Sequence, residues 1–244
     1  MALRAVVFDV GETLVDETRH WGEWADWLGV PRFTFFAVLG GVIARGEEHS
    51  RVFEILAPGR APADLLEERR SEGASSAFEP SDLYPDAVDC LRELRRRSYK
   101  VGLAANQPED AVESLARLGV EADFVGASDD WGVWKPSPLF FRRVAEEAAL
   151  EPARIAYVGD RVDNDVVPAA TAGMVAVFVR RGPWALLHAA RPEAAVARLS
   201  TASRATAASG RDAWSSAHGP RRTKTATMPA VAAGTTSLST RSPT

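Results

Sequence analysis

The stretch "LRAVVFDVGETLVDE", residues 3–17, decides how this chain folds. Residues 3–8 form an apolar run with paired valines, which predicts a strand buried on both faces, as in a parallel sheet. Asp9 follows the run directly. A carboxylate at the carboxyl end of such a strand stands where open α/β sheets bind ligands. Asp9 is therefore a candidate nucleophile or metal ligand.

Beyond residue 17 the pattern changes. "TRHWGEWADWLGV", "RFTFFAVLGGVIARGEEHSRVFEIL" and "PADLLEERRSEGASSAF" all carry apolar residues at helical spacing. Gly29-Val30-Pro31, Gly40-Gly41 and "APGRAP" are expected to punctuate them. From residue 81 strands and helices alternate. "KVGLAA", "ADFVGAS", "RIAYVGD" and "MVAVFVR" read as strands, with "PDAVDCLRELRRRS", "PEDAVESLARLGV", "PLFFRRVAEEAAL" and "NDVVPAATAG" as helices. Repeated strand–helix units imply parallel pairing through right-handed crossovers. The expected fold is α/β: a Rossmann-like three-layer core with a parallel sheet, formed by residues 1–17 and 81–190. A helical lid, residues 18–80, is inserted after the first strand. Residues 191–244 form a low-complexity tail. The last 46 residues hold 17 Ser or Thr against one acidic residue, a composition that predicts disorder.

Composition excludes little else. The chain has 244 residues, is 46% hydrophobic and carries a net charge of −4, which gives no reason to expect nucleic acid or an anionic membrane as partner. Cys90 is the lone cysteine, so no disulfide forms within the chain and a reducing compartment, the cytoplasm, is expected. No apolar run reaches the roughly 18 residues of a membrane span. Nothing in the sequence sets the oligomeric state.

Three segments carry the chemistry: Asp9 with Thr13, Lys135 in "VWKP", and "GDRVDND" at 159–165, where Asp160, Asn164 and Asp165 follow a buried strand. Carboxylates gathered at a strand end repel one another unless a cation sits among them. In this order the segments resemble the haloacid dehalogenase (HAD) superfamily of hydrolases. The resemblance rests on "DVGETL" at 9–14, "AAN" at 104–106, "KPSPLFF" at 135–141 and "GDRVDND" at 159–165. It implies a phosphatase acting on a small phosphomonoester, the lid being the superfamily's cap. Asp9 would attack phosphorus and become a transient aspartyl-phosphate. Lys135 would pair with Asp9 and the phosphoryl oxygens. Mg²⁺ would be held by Asp9, the carbonyl of Gly11, Asp160 and Asp165, the last directly or through water. Ala105, Asn106 and Lys135 would meet the phosphate, and Asn164 would orient Asp160 or its loop.

Two positions depart from that pattern. Residue 11, where the superfamily's phosphatases carry an aspartate that protonates the leaving group, is Gly; general acid–base help of this kind is worth about 10²–10⁴-fold. Residue 105, which usually supplies a hydroxyl to phosphate, is Ala. Glu12 and Asp16 are the neighbouring carboxylates: Glu12 is expected to face solvent or a turn and Asp16 to cap the first lid helix, the alternative being an acid–base role for one of them. On this reading the enzyme should favour leaving groups that need no proton. Gly11 and Ala105 also keep open a degenerate member that binds a phosphorylated ligand without turnover. A metal-free haloacid dehalogenase is a further alternative, weighed against by Asp160 and Asp165.

Elsewhere, Trp21, Trp24 and Trp27 with Phe33, Phe35 and Phe36 are expected to form the lid core. Trp131 and Trp134 either line a substrate site or anchor the Lys135 loop. Arg180 and Arg181 in "RRGPW" are expected in a solvated turn, the alternative being contact with a phosphate.

Overall fold

The computed structural model describes residues 2–188; the expected tail, 191–244, lies outside them. Five parallel strands form the sheet: β1 (Ala5–Phe8), β2 (Lys100–Ala105), β3 (Phe124–Ala127), β4 (Ile155–Gly159) and β5 (Val175–Phe178). They lie in the order β3-β2-β1-β4-β5. β1 is central, in register with β2 (Ala5 opposite Lys100) and with β4 (Ala5 opposite Ile155). All four residues of β1 are buried, as its unbroken apolar run requires.

Alternate residues of β1 enter different cores. Val6 and Phe8 join Leu91, Leu103 and Leu115 on one face, beneath the helices Ala87–Arg96 and Glu109–Arg117. Ala5 and Val7 join Phe140, Phe141 and Val144 on the other, beneath Pro138–Ala148. Three layers result, as expected. The chain winds outward through β2 and β3, then returns across β1 to β4. The reversal opens a crevice at the carboxyl ends of β1 and β4, where a doubly wound sheet binds its ligand.

The residues between β1 and the sheet helices form four helices: α1 (Thr18–Trp27), α2 (Arg32–Arg45), α3 (Arg51–Leu56) and α4 (Pro62–Ser71). They have their own core, in which Trp21, Trp24, Phe35, Leu39, Ile43, Phe53 and Leu65 are buried. Two expectations are corrected here. α2 runs through Gly40-Gly41 and ends instead at Gly46, whose φ of 71° is left-handed. Each mid-helix glycine costs about 1 kcal/mol against alanine, less than the burial of Phe35, Leu39, Val42 and Ile43 on the same helix returns. Phe33 does not join the core: it is 86% exposed.

A third correction concerns "RRGPW". Arg181 pairs through both terminal nitrogens with Asp86, at 3.0 and 2.9 Å, and its guanidinium lies 4.4 Å from the centre of the Tyr84 ring. Trp184, on the short helix Gly182–His188, is 5% exposed within the core of the four-helix block. Arg181 and Trp184 thus form an interface rather than a solvated end, while Arg180 is exposed, as expected. Among the described residues no single helix is long and apolar enough to cross a membrane.

Candidate active site

The site assembles at the reversal of the sheet. Asp9 leaves β1 and Asp160 leaves β4, the two strands being neighbours. Between Asp160 and Asp165 the chain makes a wide helical turn, Val162–Val166, that folds Asp165 back over β4. The N–H of Arg161 donates to Asp165 Oδ2 at 3.0 Å, fixing that carboxylate. Gly159 makes the turn possible, because a β-carbon there would collide with the Asp165 carboxyl group.

Lys135 arrives from the far side of the sheet, on the loop after Ser128–Trp131. Its Nζ donates to Asp9 Oδ1 at 2.6 Å and to Asp165 Oδ1 at 2.7 Å. The ammonium also lies 5.7 Å from the centre of the Tyr157 ring and 6.0 Å from that of Phe140. Asn106, just past β2, clamps the loop: its Oδ1 accepts from the Lys135 N–H at 2.8 Å and its Nδ2 donates to the Lys135 carbonyl at 3.0 Å. Both ends of the Asn106 amide thus hold the lysine main chain. Ala105 is buried beside it at the end of β2.

Electrostatics at this point are unbalanced. Oxygens of Asp9, Asp160 and Asp165 lie within 4.8 Å of one another, and all three residues are buried. One ammonium faces three carboxyl groups. Burial pushes Asp160 well above the usual carboxylate range, and the Asp165 and Asp9 charges add to this. Burial likewise raises Asp165, to about 6, against the pull of Lys135. Burial would lower Lys135, but the charges of Asp165 and Asp9 outweigh it and hold its pKa well above the ordinary value. Asp160 Oδ2 is shut from solvent without a hydrogen-bond partner among the described residues. Such an oxygen is costly unless something positive meets it. A divalent cation with hard oxygen ligands fits this donor set.

The corner around Gly11 is organised differently from the expected one. Glu12 is buried, with a left-handed φ of 51°. It accepts from the Tyr84 hydroxyl at 2.6 Å and from the Glu17 N–H at 3.1 Å. Asp16 Oδ1 accepts from the Thr18 N–H at 2.8 Å, but the N-cap position of α1 is Glu17, one residue later than expected. The carboxylate that reaches Gly11 is that of Glu17. A β-carbon on Gly11 would lie 2.5 Å from Glu17 Oε1 and 2.8 Å from its Cδ. Gln107 Nε2 donates to Glu17 Oε1 at 3.0 Å and Trp21 Nε1 to Oε2 at 3.3 Å. Burial, then the Glu12 charge, raise Glu17 to about 7. Sequence reasoning missed Glu17, since five residues separate it from Gly11 and no periodicity links them. The tight turn after Val10, in which the N–H groups of Thr13, Leu14 and Val15 all donate to the Val10 carbonyl, brings them together.

Of the loop tryptophans, Trp131 stacks beside Phe140 at 5.2 Å and covers Gly126, so it anchors the loop. Trp134 is 51% exposed.

A doubly wound sheet with a buried aspartate–lysine pair and an acidic cluster at its switch point defines a class of hydrolytic α/β enzymes. Within it, the chain belongs to the haloacid dehalogenase-like hydrolase family, whose model matches residues 3–173. It is 38% identical over 104 residues to a glyceraldehyde 3-phosphate phosphatase of Methanopyrus kandleri, covering 41% of this chain and 45% of that protein. It is 38% identical over 103 residues to a phosphoserine phosphatase of Thermus thermophilus, covering 41% of each. The chain thus spans less than half the length of these curated relatives. Among solved structures, the HAD-hydrolase YfnB from Bacillus subtilis, bound to magnesium, superposes with a TM-score of 0.57 at 16% identity, covering 74% of this chain and 88% of that one. A haloacid dehalogenase-like hydrolase from Bacteroides fragilis superposes at 0.56 with 21% identity, covering 71% and 86%. At those identities the likeness speaks for the fold alone.

Proposed function

We propose that this chain hydrolyses small phosphomonoesters through Asp9, with Mg²⁺ held by Asp9, the Gly11 carbonyl, Asp160 and Asp165. The observation that carries the reading is the orphaned oxygen of Asp160 beside an Asp9 already paired with Lys135. The names of the two phosphatases above support the substrate class. When bound, the cation supplies the positive charge that lets three carboxylates and a phosphate share one crevice.

The remaining work falls to side chains and main chain. Asp9 presents an oxygen to phosphorus opposite the ester oxygen; its bond to phosphorus forms as the ester bond breaks, giving an aspartyl-phosphate that water then hydrolyses. Lys135 lies against Asp9 and offsets charge growing on the phosphoryl oxygens. Ala105, Asn106 and Lys135 border the phosphate, Asn106 by holding the Lys135 main chain in place. Residues 18–80 serve as the cap, hinged near residues 17 and 80, and its inner face selects the substrate. The cytoplasm, with the lone Cys90 reduced, is the expected setting.

The test is Mg²⁺-dependent phosphate release from an aryl phosphate by the full chain, with Asp9→Asn as control. Activity lost with chelator and in Asp9→Asn is the expected result. Equal release by wild type and Asp9→Asn would overturn the reading and turn attention to binding without turnover.

A further inference from the structure

Resting on the phosphatase reading, we infer that Glu17 carries the proton to the leaving group and later takes one from water, in the space that Gly11 leaves open. Three observations meet here. The Glu17 carboxylate occupies the position where a side chain on residue 11 would begin, with Oε1 2.5 Å from a β-carbon placed there. Its two oxygens are held from opposite sides of a seam, Oε1 by Gln107 after β2 and Oε2 by Trp21 on α1. The two other nearby carboxylates are engaged elsewhere, Glu12 by Tyr84 and the Glu17 N–H, Asp16 by the Thr18 N–H. Residue 11 and Glu17 are therefore alternative sources of one carboxyl group. A glycine at 11 makes room, and the first residue before α1 fills it.

The chemistry balances in two steps. As the Asp9 oxygen bonds to phosphorus and the ester P–O bond breaks, the Glu17 carboxyl gives its proton to the departing oxygen, releasing an alcohol. As a water oxygen then bonds to phosphorus and the Asp9–phosphorus bond breaks, the Glu17 carboxylate takes the water's proton. Phosphate leaves with Asp9 ionised and Glu17 protonated again. The position near the start of α1 also makes the acid sensitive to how the four-helix block sits on the sheet, because Trp21 is one of its two anchors.

The expectation drawn from Gly11 alone, a preference for leaving groups that need no proton, is thereby revised: the wild type should turn over alkyl and aryl phosphates at rates within about ten-fold. The test compares both esters in wild type, Glu17→Gln, Glu17→Ala and the exchange variant Gly11→Asp/Glu17→Ala, with rapid-mixing kinetics. Glu17→Gln keeps the side chain's length and one oxygen to accept from Trp21 Nε1, while its NH2 can donate to the Gln107 amide oxygen once that amide turns over. It should slow alkyl ester hydrolysis by about 10²–10⁴-fold, the usual worth of general acid–base help. With the aryl ester it should show a burst of one phenolate per site before a slow steady state, since departure needs no proton but hydrolysis of the aspartyl-phosphate needs the base. The exchange variant should recover alkyl turnover that Glu17→Ala lacks. An equal loss on both esters without a burst, or no loss, makes Glu17 a tether of α1 and overturns the inference. Absence of Asp9-dependent turnover of either ester in the wild type overturns the phosphatase reading itself, a result no Glu17 variant produces.

Discussion

Gly159 and Lys135 show how single residues hold the acidic cluster together. A β-carbon at 159 would meet the Asp165 carboxyl group, and Asp165 is pinned by both Arg161 and Lys135. Gly159→Ala should therefore displace Asp165 without unfolding the sheet. We expect at least a ten-fold loss of activity with an unchanged circular dichroism spectrum; full activity would mean that Asp165 has more room than its packing indicates. Lys135 is the opposite case. Its side chain is 2% exposed and pairs with two buried carboxylates. Removing one partner of a buried ionic group costs about 3–5 kcal/mol, because the charge left behind has no compensation. Lys135→Met should lose about that much in urea unfolding without metal. Mg²⁺ should recover more stability in the variant than in the wild type, since more negative charge is left for it to meet. An unchanged unfolding midpoint would refute the pairing.

At the scale of elements, α1 couples the site to the block above it. His20 on this helix stacks edge-on against Trp21 at 5.4 Å. Burial, then the charge of Arg69, lower its pKa to about 4 from 6.5. An imidazole with a depressed folded pKa binds its proton only after unfolding. The stability it contributes is complete above about pH 6.5 and is lost as pH falls toward 4. Arg19, Arg69, Glu23 and His49 also act on it, so the informative quantity is a difference. The thermal midpoint of wild type should fall more steeply between pH 6.5 and 4 than that of His20→Gln. Parallel slopes would show that His20 is protonated in the fold.

Across the whole molecule, the short helix Gly182–His188 ties the block to the sheet. Trp184 lies 6.4 Å from Trp21 and 6.2 Å from His49, ring centre to ring centre, and the Arg161 guanidinium sits 5.7 Å from its own ring centre. Arg161 belongs to the turn that carries Asp160 and Asp165, so one tryptophan touches both the block and the acidic turn. Trp184→Ala should cost about 3–5 kcal/mol, as large-to-small changes of buried aromatics do. It should also raise KM, because block and site lose a shared contact. Loss of stability with an unaltered KM would confine Trp184 to packing.

Much of this was legible in the chain itself. The doubly wound sheet follows from buried apolar runs alternating with amphipathic helices, because strand and helix periods are properties of a few neighbouring residues. Asp9, Asp160 and Asp165 were legible for a related reason: each ends or closely follows a strand whose place in the sheet the alternation implies. Lys135, beyond β3 and the short helix Ser128–Trp131, was reached only through the family resemblance of "KPSPLFF". What the tertiary structure decided are contacts between residues whose separation carries no period. Glu17 fills the gap at Gly11 because the chain coils tightly about the Val10 carbonyl between residues 10 and 15. Trp184 enters the block across more than a hundred residues, Phe33 turns outward, and α2 continues through two glycines because its flanks are buried. Local sequence sets which elements form, since propensity and periodicity act over one or two turns. Which side chain fills a given space depends on the packing of elements remote in sequence, and that is settled only when they meet.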